Sequence, residues 1–287
     1  MLDFLINKSF VARRVRPWLR DKLPISLRRR KNLRKFGSIN ELYFWRLDRG
    51  IDTVAPIQNY FSGLFPGLET ATEGKLWVFD HDGAQITTLE FKLPHQGTHL
   101  VRMSELVNRD HSYGTFMWQV RVPEAVARHS LIPSGMVYFA DRGYVCYEKN
   151  KCQVAFIHGV DRYAVFQGRD MGASSLFYRK STPAKSWVPE FPVQPGMQME
   201  LDVLILNRTD RKCECSMVLH RNGGEKVYEL TTNISPRGCS MLTVDRSVLR
   251  LLDKDIGYLK VDGLPTTWGR PALMRHFDSG AISVMHC

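Results

Sequence analysis

Five of the nine histidines sit where imidazoles or carboxylates crowd together, or recur at matched places in the chain. His81 lies between Asp80 and Asp82, and His95 and His99 are four residues apart. His158 and His286 close two similar segments, YVCYEKNKCQVAFIH and ALMRHFDSGAISVMH. Imidazole and carboxylate are the donor set of zinc and of other borderline divalent metals. On a helix His95 and His99 would share a face, but Pro94 and Gly97 make that stretch a turn. A metal there would have to be gathered from separate hairpin tips, with His111 or His129 completing it. The second half carries Asn222, Gly223, Pro236 and Ser240 in the corresponding region, so such a site would belong to the first half alone. The competing reading is plainer: turn histidines are solvated, and a strand-end imidazole bonds a nearby carbonyl.

Other chemistry has less to work with. The sequence has no GxSxG elbow, no GxGxxG and no GxxxxGK[ST] loop, which disfavours a serine hydrolase of that type and nucleotide cofactors. There is no CxxC pair among the six cysteines, so a structural zinc site is not expected. Cys213 and Cys215 share one strand face and cannot bridge without strain. Cys146 and Cys239 lie in apolar alternating runs and are expected in cores, while Cys152 flanks a turn. Asn207-Arg208-Thr209 fits the glycosylation acceptor pattern, which is idle in a chain that is not exported. Tyr43, Phe44, Trp45, Tyr60, Phe61, Phe65, Trp118, Tyr163, Tyr178, Trp187 and Trp268 fall partly in regions that read as loops or edges. Exposed rings there would stack on sugars; otherwise they fill the gap between domains.

The elements that must position these groups change character along the chain. Of the formal net charge of +11, residues 1–36 carry +10, through twelve basic and two acidic residues. Arg13, Arg14, Arg16, Arg20, Arg28, Arg29, Arg30, Lys31, Arg34 and Lys35 alternate there with Phe10, Val11, Val15, Trp18, Leu19, Leu23 and Leu27. Val11, Val15, Trp18 and Leu19 share one helical face. This pattern suits a basic amphipathic helix on an anionic membrane surface, each basic residue adding about 1 kcal/mol. Trp18 and the basic residues would make that contact. Nucleic acid is the weaker rival, because the remaining 251 residues carry almost no excess charge. The arginines at 13, 14 and 16 interrupt any secretory apolar core, and no apolar run approaches a membrane span. The expected location is cytoplasmic, peripheral at the inner membrane face. SINELYFWRLDRG reads as another helix, with Ser38 and Glu41 as a capping box, Ile39, Leu42, Tyr43 and Leu47 as its face, and Gly50 as its stop.

From Gly74 the apolar period is two, with turn signals every 8–12 residues, which argues for antiparallel sandwiches. Adding 141 brings Trp77–Met103 onto Val218–Val244 without a gap. Gly83 meets Gly224 and Gly97 meets Gly238, and apolar positions meet apolar positions while the polar ones differ. The two histidine-ended segments match at an offset of 128, so the first copy carries about 13 extra residues within Asn108 to Gly143. The fold class expected is mainly β: two tandem duplicated antiparallel sandwiches, immunoglobulin-like or jelly-roll-like, behind a basic helical segment. The expected bounds are 1–50 for that segment, 51–160 for the first sandwich and 161–287 for the second. The stretch from Met199 to Leu219 reads as a hairpin with Asn207–Asp210 as its turn.

The leading functional expectation is a non-catalytic binding or accessory protein for a glycan or a protein, held at an anionic membrane by its N-terminus, with no cofactor. The alternative is a metal-dependent enzyme using a divalent ion at the interface of the sandwiches, with His81, His95, His99, His158 and His286 as its ligands.

Overall fold

The computed structural model describes residues 38–108, 110–128, 143–158, 164–166, 188–195, 200–207, 209, 211–252, 256–264 and 270–286. Four antiparallel sheets form two tandem β-sandwiches. The first contains β1 (Ser38–Arg46), β2 (Ile51–Gln58), β3 (Thr72–Asp80), β4 (Gln85–Leu93), β5 (Thr98–Arg102), β6 (Tyr113–Arg121), β7 (Tyr144–Lys149), β8 (Gln153–His158) and β9 (Ala164–Phe166). Its sheets run β4-β3-β6-β1-β9 and β5-β2-β7-β8. The second contains β10 (Glu190–Val193), β11 (Glu200–Leu206), β12 (Cys213–Arg221), β13 (Lys226–Ile234), β14 (Cys239–Val244), β15 (Gly257–Asp262), β16 (Ala272–His276) and β17 (Ile282–His286). Its sheets run β13-β12-β15-β10 and β14-β11-β16-β17. Apart from β9, the two orders are the same, strand for strand.

The agreement reaches individual residues. Thr72 pairs with Leu93 as Cys213 pairs with Ile234, and the register slips at Val78/Phe79 and again, 141 residues on, at Leu219/His220. Gly83 and Gly224 both take positive φ at the hairpin tips, as do Gln96 and Arg237 in the next turn. At that next turn a residue with a side chain, and not the glycine beside it, adopts the left-handed conformation. Short helices follow the same strand in each half: α2 (Met103–Leu106) after β5 and α4 (Arg246–Leu249) after β14. Two further helical turns, α1 (Tyr60–Leu64) and α3 (Glu124–Arg128), lie in the first half.

The pairings also expose a match that the sequence comparison misses. Asp52 pairs with Glu148 as Glu200 pairs with His276, and Val54 pairs with Arg102 as Asp202 pairs with Thr243. The strands β2 and β11 are thus equivalent at an offset of 148. At the end of this block Asn59 meets Asn207, both buried. The Asn59 amide donates to the carbonyls of Thr70 (2.7 Å) and Pro94 (3.0 Å). The Asn207 amide donates to the equivalent carbonyls of Arg211 (2.6 Å) and Ser235 (3.1 Å). Each asparagine staples the chain leaving one sheet to the turn entering the next. Asn207 is therefore a structural residue.

Two expectations change. SINELYFWR is a strand, β1, and not a helix. Its Leu42, Tyr43, Phe44 and Trp45 are all buried, on both faces of the sheet, so no alternation marks it as a strand. Among the described residues β1, from Ser38, and β9, through Phe166, lie in one sheet of the first sandwich. The stretch Met199–Leu219 is no hairpin, because β11 and β12 lie in different sheets. The extra residues of the first half fall between β6 and β7, where α3 begins.

Aromatic residues fill the first core. Tyr43 stacks on Trp118 with centroids 4.3 Å apart, and Trp45 donates its indole N–H to the Phe79 carbonyl at 2.8 Å. Tyr43, Phe44, Trp45, Phe61 and Trp118 are packing residues and present no ring to a sugar. Tyr163, Tyr178, Trp187 and Trp268 lie outside the described residues.

Candidate functional site

The sandwiches meet through one face of the sheet β14-β11-β16-β17. Along β11, Leu201, Val203 and Ile205 point into the second core, whereas Leu204 and Leu206 join the first. Cys239, Ala272, Met274 and Ile282 join the first core in the same way. This outer face, normally solvated, is thus a packed interface.

A charged cluster lies within it. The guanidinium of Arg46, at the end of β1, has no exposed surface. Its Nε and Nη2 donate to the two carboxylate oxygens of Asp48, at 2.5 and 2.9 Å. Its Nη1 donates to Oδ2 of Asp202 on β11 at 2.5 Å. That oxygen also accepts from His276 Nε2 at 2.7 Å, and Oδ1 accepts from the Thr243 hydroxyl at 2.7 Å. Burial alone would raise the Asp202 pKa. The His276 bond, the Arg46 charge and the Thr243 bond outweigh it and hold the carboxyl well below the usual carboxylate range. Burial works against the Arg46 charge too, and the two aspartates more than offset it. At the rim Arg49 pairs with Glu200.

Glu200, Asp202 and His276 place ligand atoms within 4.8 Å of one another, the spacing of a metal site. The residues present do not fit one. Asp202 spends Oδ2 on a guanidinium and an imidazole, Glu200 is paired with Arg49, and a fixed cation already fills the space. The cluster holds two domains together and leaves no open coordination position.

The expected histidine ligands scatter. His81 sits at the β3–β4 tip, half exposed, its ring against Tyr113, while its carbonyl accepts from the Cys239 N–H. His95 Nδ1 bonds the Thr70 hydroxyl at 2.9 Å. His99 stacks on Phe91. The five contribute one pair: His158, ending β8, and His286, ending β17, face each other with Nε2 atoms 2.5 Å apart. His276, a residue of the interface, carried no sequence signal beyond being polar in an apolar strand. The same is true of Asp202, whose equivalent is Val54.

The equivalent outer face of the first sandwich is open. On the sheet β5-β2-β7-β8, Leu100, Tyr144, Val154 and Phe156 are 59, 56, 56 and 55% exposed. They flank Val54 and Cys146, and at one end Arg102 pairs with Glu148 at 2.6 Å and with Asp52 at 3.5 Å. The residues from Arg13 to Lys35 assigned to membrane contact, Trp18 among them, lie outside the described residues. Among the described residues no helix is long and apolar enough to cross a membrane.

No family model and no curated protein matches the chain. Among solved structures it is similar to an isomalto-dextranase of Arthrobacter globiformis T6 complexed with panose, at 12% identity and a TM-score of 0.21, over 78% of this chain and 34% of that one. It is similar to a Bacteroides uniformis β-glucuronidase at 9% identity and a TM-score of 0.19, over 91% and 28%. A putative β-galactosidase from Bacteroides fragilis follows at 8% and 0.18, over 88% and 32%. The chain spans about a third of the length of these proteins, and at such scores the likeness carries no argument about function.

Proposed function

We propose that the chain is a non-catalytic binding or accessory protein whose partner docks on the open face of β5-β2-β7-β8, and that its two halves arose by duplication. The observation that carries the reading is the exposure of Leu100, Tyr144, Val154 and Phe156 on one sheet face. Large apolar side chains gathered on one face mark an interaction surface, whereas scattered ones do not. A protein partner is favoured over a glycan, because the equivalent face of the second sandwich is covered by a folded β-domain of this same chain. The Arg102–Glu148–Asp52 group would supply a polar rim. The basic segment 1–36 would bring this surface to an anionic membrane.

A photoreactive amino acid placed at Phe156 tests the docking face, with the same probe at Glu229, on the second sandwich, as control. One discrete protein adduct at 156 and none at 229 is expected; equal labelling would refute the assignment. A glycan that protects Tyr144 and Phe156 from modification would replace the protein partner by a sugar. Flotation with anionic and neutral vesicles, comparing the full chain with a variant in which Arg28, Arg29, Arg30 and Lys31 are glutamine, tests the membrane part. Binding to anionic vesicles that survives the substitutions unchanged would remove it.

A further inference from the structure

We propose that His158 and His286 form a divalent transition-metal site, with zinc as its ion, that ties the edge strand of one sandwich to the edge strand of the other. The inference does not depend on the partner-binding reading. Tyr144 pairs with His158 across β7 and β8, and Ala272 pairs with His286 across β16 and β17. The two imidazoles therefore hold the same place in the two halves. β8 and β17 end their sheets, so each histidine sits on a strand edge. The chain brings these equivalent edges together, with ring centroids 4.0 Å apart and planes at 69°.

The Nε2 atoms point at one another across 2.5 Å. Facing nitrogens can share one hydrogen between them. If both are protonated they repel, and if neither is, two lone pairs meet. A cation of borderline softness can take the place of the shared hydrogen, because neutral imidazole nitrogen is a preferred zinc donor. Zinc–nitrogen bonds of about 2.0–2.1 Å at a tetrahedral angle hold two ligand nitrogens roughly 3.3 Å apart. The pair must open by less than an ångström, which rotation of two partly exposed strand-end side chains provides. Water can complete the shell from the exposed side. The site differs in kind from the Glu200–Asp202–His276 cluster, where Arg46 already supplies the positive charge.

The test uses the full chain without a polyhistidine tag, stripped of metal and titrated with zinc against a chromophoric chelator at pH 7.5. One zinc per chain and a zinc-dependent rise in Tm are expected. His158→Ala and His286→Ala should each weaken binding at least tenfold, and the double variant should lose little more, since both residues hold one ion. His81→Ala, His95→Ala and His99→Ala should bind as the parent does. Affinity should fall as the pH is lowered, because protons compete with the metal for imidazole nitrogen. No zinc binding by the parent, or equal binding by the double variant, overturns the proposal. If an alanine variant fails to fold, X-ray absorption at the zinc edge of the loaded parent decides. Two imidazole shells support the site, and a spectrum without imidazole scattering overturns it.

Discussion

Replacing Asp202 by Asn keeps the shape of the interface cluster and removes one charge. Arg46 is fully buried, and Asp202 is one of its two carboxylate partners. The variant strands half of a buried guanidinium and puts an amide where two donors, Arg46 Nη1 and His276 Nε2, converge. Breaking a buried pair from one side costs about 3–5 kcal/mol. With a urea slope of roughly 3 kcal/mol/M for a chain of this size, the midpoint should fall by about 1–1.7 M. Tryptophan fluorescence follows this directly, because Trp45 adjoins Arg46 in the first core. The double variant Arg46→Met, Asp202→Leu should recover most of the loss, since a packed apolar pair avoids the desolvation of both charges and Asp48 remains partly hydrated. The pH dependence gives a further check. The Asp202 pKa is lowered in the folded state, so its contribution is complete above the unfolded carboxylate pKa of about 3.9 and fades as the pH drops below it. The gap between parent and Asp202→Asn should therefore be constant from pH 7 to 5 and narrow below about 4. A midpoint shift under about 0.3 M at pH 7, or a gap that widens in acid, would refute the reasoning.

Two other perturbations compare equivalent positions. Asn59→Ala and Asn207→Ala each remove at least two amide hydrogen bonds to backbone carbonyls, so each should cost about 1–3 kcal/mol in thermal unfolding. Equal losses within about 1 kcal/mol fit the shared staple, and a loss confined to one of them contradicts it. Gly83→Ala and Gly224→Ala meet the same positive φ, worth roughly 1–2 kcal/mol, but their surroundings differ. A Cβ at 83 would stand 2.3 Å from the Pro236 carbonyl across the interface, while at 224 the nearest atom is the Tyr258 hydroxyl at 3.7 Å. Calorimetry should show Gly83→Ala as clearly the more destabilising, and the reverse order would disprove the contact.

The repeat was legible where turn chemistry fixes register. Gly83 and Gly224 sit at a tip that requires positive φ, so the flanking strands stay aligned through large changes in polar residues. The block at offset 148 was hidden because the residues leading into it differ in type: the sequence Leu47-Asp48-Arg49-Gly50 corresponds to Pro195-Gly196-Met197-Gln198. Ile57 and Asn59 against Ile205 and Asn207 were the available signal. The strand β1 was misread for a physical reason. A strand buried on both faces loses its alternation, and ELYFWR then satisfies a helical pattern by chance. Its β-favouring aromatics were the better guide. The interface cluster was illegible, since nothing local distinguishes Asp202 or His276 from solvated strand residues, and their partner Arg46 lies over 150 residues away.

Equivalent strands of the two halves carry unlike outer faces. Where the second half has Asp202, Leu204, Ala272 and Met274 on its outer face, the first has Val54, Pro56, Tyr144 and Cys146. The second-half set is small, linear or charged and accepts a neighbouring domain with its arginine. The first-half set offers no anion for such an arginine and exposes Tyr144 on the same face as Leu100 and Phe156. On the proposed reading, a partner of this face would bring an apolar surface and keep its cations for the rim, where Asp52 and Glu148 already hold Arg102. A buried cation at the centre would face Val54, and its desolvation would go uncompensated. The exchange of a few strand residues thus changes which surface the same sheet face can accept.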